Sequence, residues 1–319
     1  MEAKCYQNYI NRCENSIKNN PKAFWSFVKN RYNSHTVPST LVYNNESFSD
    51  GSAICEAFSS FFYTSFLNPC TINNQSKQND NSNLPPFSQS TSPQSDICSV
   101  EVKVDKVKNI LRNLDLSKGA GPDNISPKLL VNCSSTISLP ISLLFQKSLQ
   151  MCVFPRIWKS AYITPIHKKG PKNEISNYRP ISKLCVIAKV FEKIVHEQLY
   201  SAVASSFTPF QHGFLRGRST VTNLTLFNDF LSEAMDRGDQ VDVVYTDYSK
   251  AFDRINYDIL LHKLCNIGIR GDLLRWFSSY IDNRSQAVVL NNYISSWITV
   301  PSGVPQGSLL GPLLFVIYV

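Results

Sequence analysis

The sequence predicts an α+β fold, because helical and strand patterns mix without the regular strand–helix–strand repeat of a doubly wound sheet. The chain has 319 residues, of which 43% are hydrophobic and 12% aromatic, which is enough to bury a sizeable core. A β-branched and aromatic run at 160–167 is typical of a strand, whereas apolar residues recur at helical spacing through 186–204.

The other elements follow from the same two patterns, with helix starts marked by caps and strand ends marked by turn residues. Helices are predicted over 104–114, from Ser126-Pro127 through 130, and over 139–152, 186–204, 256–267 and 272–281, with another beginning near Ser308. Strands are predicted over 160–167 and 241–246, and a hairpin is predicted to join 285–290 to 296–300 around Asn291-Asn292. No internal repeat is found.

Composition divides the chain into three parts. Residues 1–70 are predicted to be helical and rich in aromatic side chains. Residues 71–97 are dominated by Asn, Gln, Ser and Pro, a composition that buries too little apolar surface to offset chain entropy and indicates a linker or mobile loop. Residues 98–319 are predicted to form the main domain.

Charge is unevenly distributed along the chain. The formal net charge is +8, and residues 153–218 carry 11 Lys and Arg against 3 Asp and Glu. Residues 219–319 carry 7 against 10. A basic middle before an acidic end favours a polyanionic partner such as nucleic acid or nucleotide phosphates. A solvated basic face would give the same pattern.

The sequence carries no signal for a membrane or for secretion. No stretch reaches the roughly 18 apolar residues of a membrane span, and the N-terminal residues are polar. The nine cysteines are odd in number and lack zinc-ligand spacing, so they are interpreted as free thiols. The expected location is intracellular, in the cytoplasm or nucleus.

Asp247 is the candidate metal ligand. It follows the predicted strand 241–246 and precedes a turn, a position from which a carboxylate can face a divalent cation in a cleft. An aspartate at the end of a strand is also a common helix N-cap, and the local pattern leaves that alternative open.

Gln306 is the candidate ligand-contacting amide. It lies in the segment 301–308, where two glycines and two prolines form a rigid loop that lets backbone approach a flat ligand. A tight turn capping a helix would have the same residues.

Two basic segments carry candidate phosphate and strand contacts. Lys168, Lys169 and Arg179 flank a strand end and could clamp a triphosphate, although a basic surface loop would look the same. Arg216 and Arg218 lie in the segment 211–220, which mixes glycine, aromatic and arginine residues as strand-contacting loops do.

The order of these segments resembles that of one known family. From about 104 to 319 the chain resembles the reverse transcriptase domain of non-LTR (LINE-type, jockey-like) retrotransposons. The matching motifs are Ser-Lys-Gly-Ala-Gly-Pro-Asp at 117–123, Thr-Pro-Ile-His-Lys-Lys-Gly at 164–170, Asn-Tyr-Arg-Pro-Ile-Ser at 177–182, Gln-His-Gly-Phe at 211–214, Asp-Tyr-Ser-Lys-Ala-Phe-Asp at 247–253 and Gly-Val-Pro-Gln-Gly-Ser at 303–308. Residues 1–70 resemble the connector between endonuclease and polymerase in such elements.

The resemblance implies a right-hand polymerase fold, with the basic 153–218 segment as fingers and the acidic end as palm. It implies RNA-directed DNA polymerase activity that uses Mg²⁺ or Mn²⁺, an RNA template, a DNA primer and a dNTP. The implied metal ligands are Asp247, which is also the catalytic residue, and the Tyr248 carbonyl. Phe252 would lie under the sugar, where it would also serve as core packing. The other implied contacts are Gln306, Lys168, Lys169 and Arg179 for the nucleotide, and Arg216 and Arg218 for the template.

The sequence departs from the family pattern at its end. The Tyr-x-Asp-Asp hairpin that supplies further metal-binding carboxylates in this family does not occur before Val319, so the palm is expected to be incomplete and the chain inactive. Asp253 is expected to interact within its own turn rather than replace those carboxylates. Apolar residues of 309–317 are expected to be exposed. A non-catalytic nucleic-acid-binding remnant and a group II intron maturase-like protein are the alternatives.

Overall fold

The fold is described from a computed structural model that covers residues 37–67 and 96–319, together with the helical residues Gln7, Ile10, Pro21 and Trp25. Helices and strands mix in one chain, which confirms the α+β prediction. No helix within the described ranges is long and apolar enough to cross a membrane.

A five-stranded mixed sheet forms the centre of the described domain. Its strands are β3 (Ser160–His167), β4 (Tyr178–Leu184), β5 (Arg284–Leu290), β6 (Tyr293–Ile294) and β7 (Ile298–Val300). β3 pairs with β4 antiparallel and with β5 parallel, and β5 pairs antiparallel with both β6 and β7. The connection between β3 and β5 is long and contains several helices, as a parallel pairing requires.

A small apolar layer covers part of this sheet. A hairpin of β1 (Leu41–Tyr43) and β2 (Glu46–Phe48) leads into helix α1 (Gly51–Tyr63). Phe58 and Phe62 of α1 are buried in one cluster with Ala161, Ile163 and Val288 of the sheet. The end of the predicted 1–70 segment therefore packs directly on the sheet that carries β3 and β5.

A larger core lies among the helices. These are α2 (Val104–Arg112), α3 (Pro127–Asn132), α4 (Ser134–Gln150), α5 (Val186–Val203), α6 (Thr220–Asp236), α7 (Tyr257–Asn266), α8 (Gly271–Ile281) and α9 (Leu310–Tyr318). Phe145 of α4 stacks on Phe191 of α5 with ring centroids 4.3 Å apart, and Trp276 of α8 meets Phe191 edge-on. The Trp276 indole donates to the Ser148 hydroxyl at 3.0 Å, so its polar atom is satisfied inside the core.

The predicted helix starts are confirmed by their caps. The Ser126 hydroxyl accepts from the Leu129 amide at 3.3 Å, with Pro127 in the first turn, and the Asn256 side chain accepts from the Ile259 amide at 3.1 Å. The predicted pairing of 285–290 with 296–300 is present as β5 and β7, and the turn at Asn291 and Asn292, both at positive φ, leads from β5 into the short strand β6. Asparagine tolerates this conformation better than most residues, which is why the turn could be located from the sequence.

The predicted strand at 241–246 is wrong. This segment has no strand assignment, and the Val244 and Tyr245 side chains are 86% and 81% exposed. Val243 is also exposed. A β-branched run becomes a strand only when a neighbouring strand takes its backbone hydrogen bonds, and no described strand lies beside it. The composition of 241–246 favours a strand, but among the described residues the structure provides no neighbouring strand for it to pair with.

The predicted exposure of 309–317 is also wrong. These residues form most of α9, and Leu310, Leu313, Leu314 and Ile317 are buried, whereas Leu309 is exposed. The helix packs against α5 and α7, so its apolar face is covered by neighbours that precede it in the chain.

Four described features were not predicted from the sequence: the β1–β2 hairpin, strand β4, the short strand β6 and helix α6. The hairpin lies inside the segment predicted to be helical, so that prediction is wrong for 41–48. Most of the predicted linker at 71–97 falls outside the described residues. At its end, Ile97 forms an isolated bridge with Ile269.

Candidate functional site

The loop between β7 and α9 is held in place by backbone contacts to the turn at 252–255. The Val304 amide donates to the Phe252 carbonyl at 2.8 Å, and the Gly303 amide donates to the Ile255 carbonyl at 2.9 Å. Gly303 has φ +85°, and a Cβ added there would lie 2.5 Å from the Phe252 carbonyl oxygen. Glycine is required here both for the left-handed backbone and for the close approach.

Gln306 joins this loop to two other motif segments. Its carbonyl accepts from the Ser182 amide of β4 at 2.8 Å, and its side-chain Nε2 donates to Asp253 Oδ1 at 3.2 Å. A Cβ on the next residue, Gly307, would lie 2.6 Å from the Ser182 carbonyl oxygen. Three motifs that are far apart in the sequence, at 177–182, 247–253 and 303–308, therefore meet around Gln306.

Burial dominates the electrostatics of Asp253. Removal from water raises the pKa of this carboxyl to about 6, although the hydrogen bond from Gln306 and the charges of Lys250 and Arg254 oppose the increase. The carboxyl thus titrates within the range in which proteins are ordinarily studied. The sequence-based expectation that Asp253 interacts within its own turn is incomplete, because the carboxylate also contacts the separate loop.

We expect stability to depend on pH through Asp253. Because its pKa is raised on folding, the unfolded state loses its proton first as pH rises from about 4 to 6, so stability falls by about 3 kcal/mol and then levels off. Urea unfolding of the wild type and Asp253→Asn between pH 4 and 7 measures this change in the free energy of unfolding. It should vanish in Asp253→Asn and persist in Asp258→Asn, which removes an exposed carboxylate. An unchanged pH profile in Asp253→Asn would contradict the assignment.

Phe252 belongs to an aromatic trio. It stacks on Phe315 of α9 with centroids 4.9 Å apart, and Phe214 meets Phe252 edge-on at 5.7 Å. Phe252 is partly buried against the main core. The predicted packing role is therefore confirmed, and the trio links the motif at 211–214 to the loop that carries Gln306.

The candidate phosphate contacts lie together at one end of the β3–β4 hairpin. The Lys168 amide donates to the Asn177 carbonyl at 2.8 Å, and Arg179 pairs in register with Ile166. Lys168, Lys169 and Arg179 are all exposed. The hairpin thus presents three cations to solvent at one end of the sheet. Arg179 lies on the same strand as Ser182, whose amide is hydrogen-bonded to the Gln306 carbonyl.

The candidate template contacts lie in a loop before α6. The Arg216 guanidinium lies 4.7 Å from the Tyr200 ring centroid, and its backbone amide donates to the Tyr200 hydroxyl at 2.9 Å. Arg218 donates to the Pro209 carbonyl. The buried His212 ring contacts the Thr222 hydroxyl at 2.8 Å, which anchors this loop to the first turn of α6.

Asp247 and Tyr248 lie apart from this assembly. Asp247 is exposed in the irregular segment that follows α6, and it accepts no hydrogen bond from any described residue. The Tyr248 side chain is 67% exposed. Within the part of the chain that the structure describes, no group of three His, Cys, Asp or Glu residues could hold a metal ion.

A cavity of about 30 Å³ lies behind Gln306. Asp253, Arg284 and Gln286 contribute polar groups to its lining, together with Ser182 and Ser302. Ligand pockets for small molecules are typically about 300–1,000 Å³. A nucleotide therefore cannot enter this space, and any nucleotide at Gln306 must approach from the solvent side of the loop.

A larger cavity of about 620 Å³ lies between α2 and α5, away from the motif segments. Its charged lining residues are Glu101, Lys103, Lys106 and Glu197. Lys106 pairs with Glu197, and Lys103 pairs with Glu101 at 3.2 Å. Its charges are therefore mutually neutralised, which does not favour binding of a polyanion.

Two site residues were missed by sequence reasoning. Ser182 contributes only its backbone to Gln306, which residue type cannot reveal. Asp253 was considered only as a metal ligand or a local turn former, yet its carboxylate contacts Gln306 across 53 positions of sequence. Their only signal was that both lie within the motif segments.

Comparison with known proteins agrees with the motif order. Residues 166–319 match the family described as "Reverse transcriptase (RNA-dependent DNA polymerase)". The chain is 30% identical over 220 residues to "Probable RNA-directed DNA polymerase from transposon BS" and to "RNA-directed DNA polymerase from mobile element jockey", both of Drosophila melanogaster. It is 33% identical over 216 residues to "Probable RNA-directed DNA polymerase from transposon X-element" of the same organism.

These alignments cover 67–68% of this chain and 24% of each relative. The chain thus spans about a quarter of the length of the curated relatives that it matches.

Proposed function

The chain belongs to the reverse transcriptase family of non-LTR retrotransposons, and from this premise we propose that its domain binds a template–primer and a dNTP for RNA-directed DNA synthesis. The observation that carries the proposal is the convergence of three motifs at Gln306. The Gln306 side-chain amide donates to the Asp253 carboxylate, and the Gln306 backbone carbonyl accepts from the Ser182 amide, so a nucleotide contact there would be preorganised.

Within the right-hand polymerase arrangement, we assign the basic 153–218 segment to the fingers and the acidic end to the palm. The exposed cations of the β3–β4 hairpin, Lys168, Lys169 and Arg179, would bind the nucleotide phosphates. Arg216 and Arg218 would bind the template backbone. The Phe252 ring would lie beside the sugar, because the Phe252 carbonyl is hydrogen-bonded to the loop that carries Gln306.

The residues present fit a divalent cation only in part. Asp247 and the Tyr248 carbonyl offer oxygen ligands of the type that Mg²⁺ prefers, but Mg²⁺ takes six. Two-metal phosphoryl transfer also needs several carboxylates. The Asp253 carboxylate is engaged by Gln306, and Asp239 is engaged by Arg237. We therefore expect these 319 residues alone to bind substrates without joining them.

Primer extension tests this expectation. Purified 1–319 is incubated with poly(rA), oligo(dT), dTTP and Mg²⁺ beside an Asp247→Ala control. The expected result is retained binding of the hybrid without incorporation. Incorporation that disappears in Asp247→Ala would mean that these residues assemble a working metal site, and failure to bind the hybrid would contradict the proposed function.

Salt dependence distinguishes the template contacts from general basicity. The double variant Arg216→Gln, Arg218→Gln removes two of the proposed phosphate contacts. We expect the negative slope of log K against log salt to become shallower by about 1.5. The matched control is Lys128→Gln, Lys147→Gln, which removes two exposed charges outside the basic segment. Fluorescence anisotropy with labelled hybrid measures both slopes. Equal slopes for the two double variants would exclude Arg216 and Arg218 as template contacts.

A remnant that binds nucleic acid without selecting a nucleotide is the second candidate, favoured by the exposed position of Asp247 away from the Gln306 assembly. It predicts the same hybrid binding but no effect of a complementary dNTP. The two candidates therefore differ in a quantity that can be measured on this chain.

A further inference from the structure

The position of Asp253 relative to Gln306 is fixed by backbone as well as by side chains. The Ser302 hydroxyl donates to the Asp253 carbonyl at 2.7 Å and accepts from the Leu67 amide at 2.9 Å. The two backbone bonds made by Gly303 and Val304 flank this contact. These contacts fix the backbone of Asp253 against the loop, so the carboxylate is held beside Gln306.

The chemistry of a carboxylate dictates which way the Gln306 amide points. An ionised carboxylate only accepts hydrogen bonds, so it must face the Nε2 of the amide. Because Nε2 and Oε1 lie on opposite sides of the amide carbon, Oε1 is then turned away from Asp253. No described residue donates to Gln306 Oε1, so this oxygen is free to accept from a ligand.

The charges around Asp253 favour its ionised form. Lys250 and Arg254 come from its own turn, and Arg284 of β5 lines the same small cavity. Two further neighbours, Phe62 of α1 and Phe66 just after α1, are apolar and do not titrate. Burial acts against these cations, so the carboxyl lies near the balance between its two protonation states.

We propose that Asp253 is a positioning residue that orients the Gln306 amide, presenting Oε1 to the nucleotide as an acceptor when ionised and permitting the reversed amide when protonated. In the reversed state the Asp253 hydroxyl donates to Oε1, and Nε2 faces outward as a donor. The proton comes from solvent. The proposal deepens the proposed function, because it assumes that Gln306 contacts the nucleotide.

Side-chain NMR tests the orientation without requiring nucleotide. Chain 1–319 is labelled with ¹⁵N-glutamine, and the Gln306 amide signals are identified by their loss in Gln306→Glu. We expect these signals to shift between pH 5 and 8 with a midpoint near 6, the value to which burial raises the pKa of Asp253. Asp253→Asn should abolish the titration, and Asp258→Asn should leave it intact. A titration that survives Asp253→Asn, or none in the wild type, would overturn the proposal.

Nucleotide binding supplies the second readout, with dTTP and the poly(rA)–oligo(dT) hybrid as probes. At pH 7.5, Asp253→Asn should weaken dTTP binding by roughly tenfold, the size of one hydrogen bond. If Gln306→Ala weakens binding but Asp253→Asn matches the wild type at every pH, the proposal is overturned and the proposed function stands. If wild-type chain binds no dTTP, the proposed function fails together with the nucleotide-facing part of the proposal, and the NMR titration still decides the orientation.

Discussion

Replacing Glu192 with alanine is expected to lower the free energy of unfolding by about 4 kcal/mol, because it leaves a cavity where the side chain lay and two donors at a buried site without an acceptor. Glu192 is 1% exposed. Its carboxylate accepts from the Tyr280 hydroxyl at 2.8 Å and from the Leu309 amide at 2.7 Å. One side chain on α5 therefore satisfies a buried group of α8 and the amide that precedes α9.

Glu197→Ala is the matched control for this prediction, because Glu197 lies on the same helix but pairs with Lys106 near the surface. Exposed pairs of this kind contribute at most about 1 kcal/mol. Urea unfolding followed by circular dichroism measures both variants. A loss in Glu192→Ala no larger than that in Glu197→Ala would contradict the role of Glu192 as a buried link between three helices.

Gly303→Ala is expected to destabilise the protein by at least about 3 kcal/mol and to abolish the proposed nucleotide contact at Gln306. The new methyl group would overlap the Phe252 carbonyl oxygen. The loop would then have to move away from the turn at 252–255, which breaks the bonds that hold Gln306 beside Asp253.

Gly238→Ala separates this overlap from backbone strain. Gly238 also has a positive φ, +75°, but no atom lies within 4 Å of an added Cβ. It should therefore cost only the left-handed strain of about 1 kcal/mol. Unfolding and dTTP binding are compared for both variants. Equal losses would show that the close approach at Gly303 is not required.

Elements defined by local signals were predictable from the sequence. The strand at 160–167 and the helix at 186–204 carry their own periodicity, and Ser126 and Asn256 mark helix starts by bonds made within three residues. The failures involve partners that lie elsewhere in the chain. The 241–246 run has strand composition but no neighbouring strand, and the apolar face of α9 is covered by α5 and α7.

The candidate site follows the same division. Motif order predicts Gln306, Phe252 and the basic residues of the β3–β4 hairpin as candidate ligand contacts, and those contacts remain predictions. The contact of Gln306 with Asp253 depends on tertiary backbone bonds between distant segments, which periodicity and residue type do not encode. Asp247, by contrast, was assigned from its motif, and its role as a metal ligand remains a prediction.

Selection of a nucleotide by the template is the most direct test of the proposed function. The affinity of chain 1–319 for labelled poly(rA)–oligo(dT) is measured with Mg²⁺ and either dTTP or dGTP. We expect dTTP to tighten the complex by roughly tenfold, the effect of about 1.4 kcal/mol of added binding, and dGTP to leave it unchanged. Equal affinity with either nucleotide would contradict a polymerase domain that holds template and nucleotide together.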